Sequence, residues 1–275
     1  MMKSILSLAV LGSLAVSPVL AAGEAPQPTM QKWSFSGPFG TFDRAQLQRG
    51  FKVYREVCQN CHGLNLLSFR NLAEAGGPGF SPAQAAAVAA EYKIKDGPND
   101  SGDMFERPGR VADRFPSPFP NENAARASNG GAYPPDLSVM AKARTYERGF
   151  PWFVLDVLPF LQYQEQGPDY LAALIKGYGQ PPAGMTMPAG MTYNKYFPGH
   201  MIGMPQPIQD GQITYDDGTK GTIDQYAKDV TAFLMWAAEP HMEARKRIGI
   251  QVMIFLIVFA GLLYFTKKKV WANAH

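Results

Sequence analysis

The chain has 275 residues, and an apolar run near each end withdraws part of that length from any water-soluble fold. Its formal charge of +3 averages over segments that sit in different solvents: residues 22 to 244 hold 19 of the 26 Lys and Arg but all 23 Asp and Glu, a balance of −4. A weakly acidic body argues against nucleic acid as a partner and suits a basic one, and 23 Pro with 27 Gly point to much loop-built structure.

Residues 1 to 21 read as a secretory signal, with Lys3 as the charged start, Ile5 to Val16 as the apolar stretch and Val19-Leu20-Ala21 as the small-residue cleavage site. The body, residues 22 to 244, then lies outside the cytoplasm. Phe42 to Val57 is expected as a helix with Asp43 as N-cap, Leu64 to Ala75 as a second, and Ala83 to Tyr92 as a third opened by Ser81-Pro82. Asp96 to Pro135 shows no period of helix or strand and is long for a structureless loop, so it should wrap around something. Further helices are expected over Leu137 to Phe150, then an apolar stretch Pro151 to Leu161, and Asp169 to Lys176. Around Gln212 to Tyr215 the sequence allows isolated, minor strands. Thr222 should cap a strong helix, Ile223 to Ala238, whose apolar positions Ile223, Tyr226, Val230, Phe233, Leu234 and Ala237 fall on one stripe. Finally, Ile248 to Thr266 carries no charge and lies between Arg245-Lys246-Arg247 and Lys267-Lys268-Lys269. At about 1.5 Å per residue it reaches about 28 Å, enough to span a bilayer. Residues 245 to 269 thus read as a single transmembrane anchor with basic flanks, and residues 270 to 275 as a cytoplasmic tail.

An exported chain with two cysteines suggests a disulfide, but Cys58-Gln59-Asn60-Cys61-His62 has the Cys-x-x-Cys-His spacing of c-type haem attachment. There, two thiols add to the haem vinyl groups and the adjacent imidazole binds iron. A thioredoxin-like pair would need a βαβ setting, which the helical pattern before Cys58 does not supply, and zinc would need more ligands than His200, His241 and His275 add. One motif means one covalently attached haem c, with His62 as one axial ligand. For the other, two Gly/Pro-rich loops qualify, because Pro fixes the backbone and removes a donor beside the haem. Met187 and Met204 both precede a proline in such loops, and His200 is a rival. Methionine ligation gives a closed, high-potential electron carrier, whereas an open sixth site would make a haem peroxidase or sensor.

Longer segments resemble the cytochrome c1 family, the haem c subunits of the cytochrome bc1 complex. The likeness lies in Asp96-Gly97-Pro98-Asn99, Met104 to Gly109, Phe115 to Asn121 and Arg126 to Ser138, which resemble that family's haem-wrapping segment. Tyr196-Phe197-Pro198-Gly199 with Ile202-Gly203-Met204 resembles its methionine strap, and Ala237-Ala238-Glu239-Pro240 the entry to its anchor. The resemblance implies an all-α fold, a class I cytochrome c core with long loops plus one C-terminal transmembrane helix. It also implies Met204 as the second axial ligand, Arg144 facing a haem propionate, and Asn129, Pro135 and Tyr170 lining the pocket. The function implied is electron transfer from a Rieske iron-sulfur subunit to a soluble c-type cytochrome, in a dimeric complex with cytochrome b. The chain itself would do no bond-making. A membrane-anchored cytochrome of another electron-transport chain is the alternative within the same class. Arg148 to Gln166 looks like an insertion of bacterial members, and no second cysteine pair braces the fold.

Overall fold

The computed structural model describes residues 25–146 and 165–272. The expected signal segment and the apolar stretch Pro151 to Leu161 lie outside the described residues, as do most of the expected insertion and the last three residues of the expected tail.

Two helices cross at the centre. The first, α1 (Arg44–Glu56), starts where the Asp43 carboxylate accepts from the Gln46 amide at 3.2 Å. The second, α6 (Ile223–Ala238), is capped in the same way by Thr222 and buries residues almost all round. Their close approach depends on Gly50, since a Cβ there would sit 2.6 Å from the Phe233 Cβ and closer still to the Asp229 carbonyl oxygen. Around the crossing Phe51, Tyr54, Phe115 and Phe233 form a buried aromatic cluster, with Phe51 and Phe233 5.6 Å apart and Tyr54 and Phe233 5.8 Å apart. Asp229 is fully buried on α6 and accepts from Arg49 Nε of α1 at 2.9 Å, so its charge is paired rather than orphaned.

Shorter elements wrap this pair. Helix α2 (Pro82–Ala90) opens with a capping box made by Ser81 and Gln84. Strands β1 (Lys93–Asp96) and β2 (Phe105–Pro108) form an antiparallel ladder pairing Lys93 with Pro108 and Asp96 with Phe105. Helices α3 (Glu122–Ser128) and α4 (Met140–Ala143) follow, then α5 (Gln166–Lys176), which packs on α6. A second small ladder joins β3 (Thr192–Tyr193) to β4 (Met201–Ile202). The chain leaves the body as α7 (Met242–Val270), a 29-residue helix whose apolar window has a mean hydropathy of 2.5 and is unburied. It is long and apolar enough to cross a membrane. At its start the carboxylate of Glu243 accepts from the Phe42 amide at 2.9 Å and pairs with Arg44 at 3.0 Å, tying the anchor to the entry of α1.

The all-α class holds, with four local corrections. Leu64 to Ala75 is no continuous helix but turns ending in a 3-10 segment, Phe69–Ala73. The amides of Phe69 and Arg70 donate instead to Asp113 and Val111 of the wrapping segment, at 3.1 and 2.8 Å, which denies them helical partners. The wrapping segment contains the β1–β2 hairpin and α3, which carry no periodic signal because the hairpin buries no face and α3 buries only Ala125. No strand forms at Gln212 to Tyr215, where the Ile213 amide donates to the Tyr226 hydroxyl at 2.8 Å. Of Leu137 to Phe150, the described part is helical only over α4, and Arg144 follows it in extended conformation.

Candidate functional site

The Cys-x-x-Cys-His motif begins two residues beyond α1, where the chain tightens into a 3-10 turn over Cys58–Asn60. The turn is closed by the Cys61 and His62 amides, both donating to the Cys58 carbonyl at 3.2 and 2.9 Å. Both cysteines are free and half-buried. Burial pushes the Cys58 thiol up to about 12, with Cys61 adding to it. A thiol held protonated in this way is the reverse of the activated thiolate that a redox-active Cys-x-x-Cys requires.

The His62 ring is oriented by Pro135, whose carbonyl lies 2.7 Å from Nδ1. A carbonyl only accepts, so Nδ1 carries the proton and Nε2 keeps its lone pair. Burial also lowers the imidazole pKa, opposed by the Pro135 hydrogen bond, and so favours the neutral ring. A neutral imidazole with Nε2 presented is the donor an iron centre takes, and two free thiols lie beside it. These residues therefore fit a haem c.

The segment that supplies Pro135 is zipped along the motif. Leu137 N donates to Gly63 O at 2.9 Å, and Asn65 N to the Asp136 carboxylate at 2.8 Å. Leu66 N donates to the Ser138 hydroxyl at 3.0 Å. From the other side Tyr54 of α1 donates its hydroxyl to the His62 carbonyl at 3.1 Å. Asn129 caps α3 and returns its amide to Ala125 O at 2.7 Å, and two glycines at positive φ, Gly130 and Gly131, turn the chain toward Pro135.

Met204 follows β4 and is half-buried, with its carbonyl accepting from the Tyr178 hydroxyl at 3.2 Å. The adjacent Gly203 approaches the wrapping segment so closely that a Cβ would sit 3.2 Å from Ala132 Cβ. His62 and the Met204 strap thus meet the same short stretch, at Pro135 and Ala132 respectively. Met187 is also half-buried, in a loop turned by Gly184 and Gly190 at positive φ. His200 takes a left-handed φ of 61°, and its Nδ1 faces the Asn194 carbonyl at 3.4 Å. Tyr170 is buried in α5. Burial raises its phenol pKa and the nearby Arg144 charge opposes the rise, which places the two side chains in one electrostatic neighbourhood. Arg144 itself is exposed and borders a cleft of about 230 Å³ with Lys142, Glu165 and Glu239.

Sequence reasoning passed over Tyr54 and Tyr178, which hold the His62 and Met204 carbonyls, and Asp136 and Ser138, which hold the amides of Asn65 and Leu66 just past His62. Only Tyr54 carried a signal, as an apolar-face residue of α1 one helical stretch before the motif. The acidic residues of the wrapping segment also divide. Asp96 and Asp113 are both bound by Arg107, the latter through Nη1 at 2.6 Å and Nη2 at 3.0 Å, whereas Asp100 and Asp103 stand exposed at the hairpin tip.

A helical body whose central helix delivers a haem-attachment motif, followed by one apolar helix able to span a bilayer, defines a membrane-anchored c-type cytochrome. The Cytochrome C1 family matches residues 33–274 of the chain. "Cytochrome c1" of Blastochloris viridis is 51% identical over 273 residues, covering 98% of this chain and 96% of that protein. "Cytochrome c1" of Rhodospirillum rubrum is 42% identical over 283 residues, covering 94% and 96%. "Cytochrome b/c1" of Bradyrhizobium diazoefficiens is 69% identical over 250 residues, which cover 90% of this chain but only 36% of that longer protein. The chain belongs to the cytochrome c1 family, haem proteins of electron transport.

Proposed function

We propose that this chain is the haem c subunit of a quinol–cytochrome c reductase, taking single electrons from a Rieske iron-sulfur protein and passing them to a soluble c-type cytochrome. The observation that carries the reading is the His62 ring, fixed through Nδ1 on Pro135 so that Nε2 is presented beside two free thiols. The bound haem would supply one-electron exchange between ferric and ferrous iron. In this reading Cys58 and Cys61 would form the thioether links, and His62 and Met204 would ligate the iron. Arg144 would meet a propionate, and Asn129, Pro135 and Tyr170 would line the pocket. Methionine opposite histidine raises the reduction potential and closes the iron to small ligands, as a carrier requires. The Pro135 carbonyl would hold the imidazole in the orientation a haem iron needs, with the Tyr54 hydroxyl and the zipped Asp136–Ser138 segment fixing the backbone around it.

Residues 1 to 21 would be removed on export, residues 22 to 244 would occupy the periplasm, and α7 would anchor them with the C-terminus in the cytoplasm. Cytochrome b and the Rieske subunit are the proposed membrane partners, in a dimeric complex. A relative whose name joins b and c1 supports the first of them. The test is to extract the protein from membranes in detergent and ask what accompanies it. Co-purification with b-type haem and an iron-sulfur protein is expected, with quinol-dependent reduction of a soluble cytochrome that is lost in the Cys58→Ala/Cys61→Ala variant. A chain that purifies alone in every detergent, with its haem intact, would contradict the assignment to this complex.

A further inference from the structure

The strap that carries Met204 is weakly held by its own backbone. The β3–β4 ladder ends at Ile202, and among the described residues no backbone-to-backbone hydrogen bond fixes Gly203 to Pro207. Pro205 and Pro207 have no amide to donate. Upstream the situation is the opposite. Asn194 is fully buried, and its Nδ2 donates to Leu174 O at 2.7 Å. Its Oδ1 accepts from the Tyr196 and Phe197 amides at 3.0 and 3.2 Å. Lys195 N donates to Gly177 O at 2.8 Å, and Asn194 N to His200 O at 2.9 Å. Gly177 allows this contact, since a Cβ there would lie 2.6 Å from Asn194 Oδ1. The hairpin is therefore riveted to the C-terminal end of α5, and the next residue, Tyr178, reaches from that rivet to the free part of the strap. Its hydroxyl donates to the Met204 carbonyl at 3.2 Å.

We propose that Tyr178 is a positioning residue that latches the Met204 strap to α5 and so keeps the methionine sulfur on the iron. The inference rests on the reading of Met204 as axial ligand. The carbonyl it grips belongs to the ligand residue itself, in a stretch with no other main-chain tie among the described residues, so losing the hydroxyl frees the ligand without touching the His62 side. Asn194 sets where the latch stands but does not itself reach Met204.

The experiment uses the haem-loaded full chain in detergent, with Tyr178→Phe, Met204→Leu and the double variant. Tyr178→Phe keeps the ring and should retain covalent haem. The rate at which added imidazole displaces the methionine from ferric iron should rise roughly two- to tenfold, the range a single neutral hydrogen bond supports. Amide exchange at Gly203, Met204 and Gln206 should quicken while the 192–202 ladder is unchanged. In the Met204→Leu background Tyr178→Phe should add nothing to either the imidazole kinetics or the reduction potential. Unchanged displacement and exchange in Tyr178→Phe, with the near-infrared sulfur-to-iron band abolished by Met204→Leu, would overturn the latch while leaving the ligand assignment intact. A band that survives Met204→Leu would overturn the ligand assignment, and the latch with it.

Discussion

Gly50 is where the fold is least able to accept one more carbon. It lies in the middle of α1, where helix propensity alone favours alanine by about 1 kcal/mol. Against that gain, a Cβ would meet Phe233 Cβ at 2.6 Å and the Asp229 carbonyl oxygen closer still. Neither atom can rotate away, because one is backbone and the other is fixed to it, so α1 and α6 must separate. Overpacking of this kind costs about 1–3 kcal/mol, and contact with backbone belongs at the upper end. The net expectation for Gly50→Ala is a loss of about 2 kcal/mol. In a chain of this size that lowers the thermal midpoint by about 4–8 °C. The assay is thermal unfolding of the haem-loaded chain in detergent, followed by helical circular dichroism. Gly249→Ala is the control: it lies in the apolar span of α7, where a Cβ meets nothing within 4 Å, so the midpoint of the body should not change. If Gly50→Ala raised the midpoint or left it unchanged, the close crossing of α1 and α6 would not be a determinant of stability.

Two further expectations concern the wrapping segment. The carboxyl of Asp113 is held down at about 2 by Arg107, which grips it with two hydrogen bonds. The unfolded value is about 3.9, so the stabilisation is fully present above about pH 4 and disappears as the pH falls through about 2. Amide protection in the β1–β2 hairpin, corrected for intrinsic exchange, should therefore be level down to about pH 4 and fall below it, and Arg107→Gln should abolish that fall; protection unchanged to pH 2 in the natural sequence would refute the assignment. Docking of a basic soluble cytochrome should use Asp100, Asp103 and Glu106 rather than the two carboxylates bound by Arg107. Its second-order reduction rate should drop between about 0.01 and 0.15 M salt, as the Debye length shrinks from about 30 to about 8 Å, and neutralising those three residues should flatten the dependence. An equally steep salt dependence in the triple variant would place the docking surface elsewhere.

What could be read from the chain in advance follows from how each signal is encoded. The strong helices announce themselves locally: Asp43 and Thr222 cap their helices, and Ser81, Pro82 and Gln84 spell out a capping box. The attachment motif is likewise a local spacing. The 3-10 segment Phe69–Ala73 was hidden because its helical alternative is locally reasonable and loses only to hydrogen bonds from residues some forty positions away in the chain. The β1–β2 hairpin was hidden for a different reason: a two-stranded ladder with no buried face leaves no alternation to find. Tyr178 and Asn194 illustrate the limit for the site itself. Nothing in their neighbourhood marks Tyr178 as holding a strap twenty-six residues on, or Asn194 as reaching twenty residues back to Leu174, because both links exist only once α5 and the β3–β4 hairpin are packed together.

The central claim is that Met204, and not Met187, completes the iron coordination opposite His62. It is tested most directly by the near-infrared sulfur-to-iron band of the ferric protein, recorded for the natural sequence and for each methionine changed to leucine. Leucine keeps similar volume without the sulfur, so both variants should fold and keep their covalent haem. Met204→Leu should lose the band and fall in reduction potential, while Met187→Leu should match the natural protein in both. Loss of the band in Met187→Leu with its retention in Met204→Leu would contradict the account.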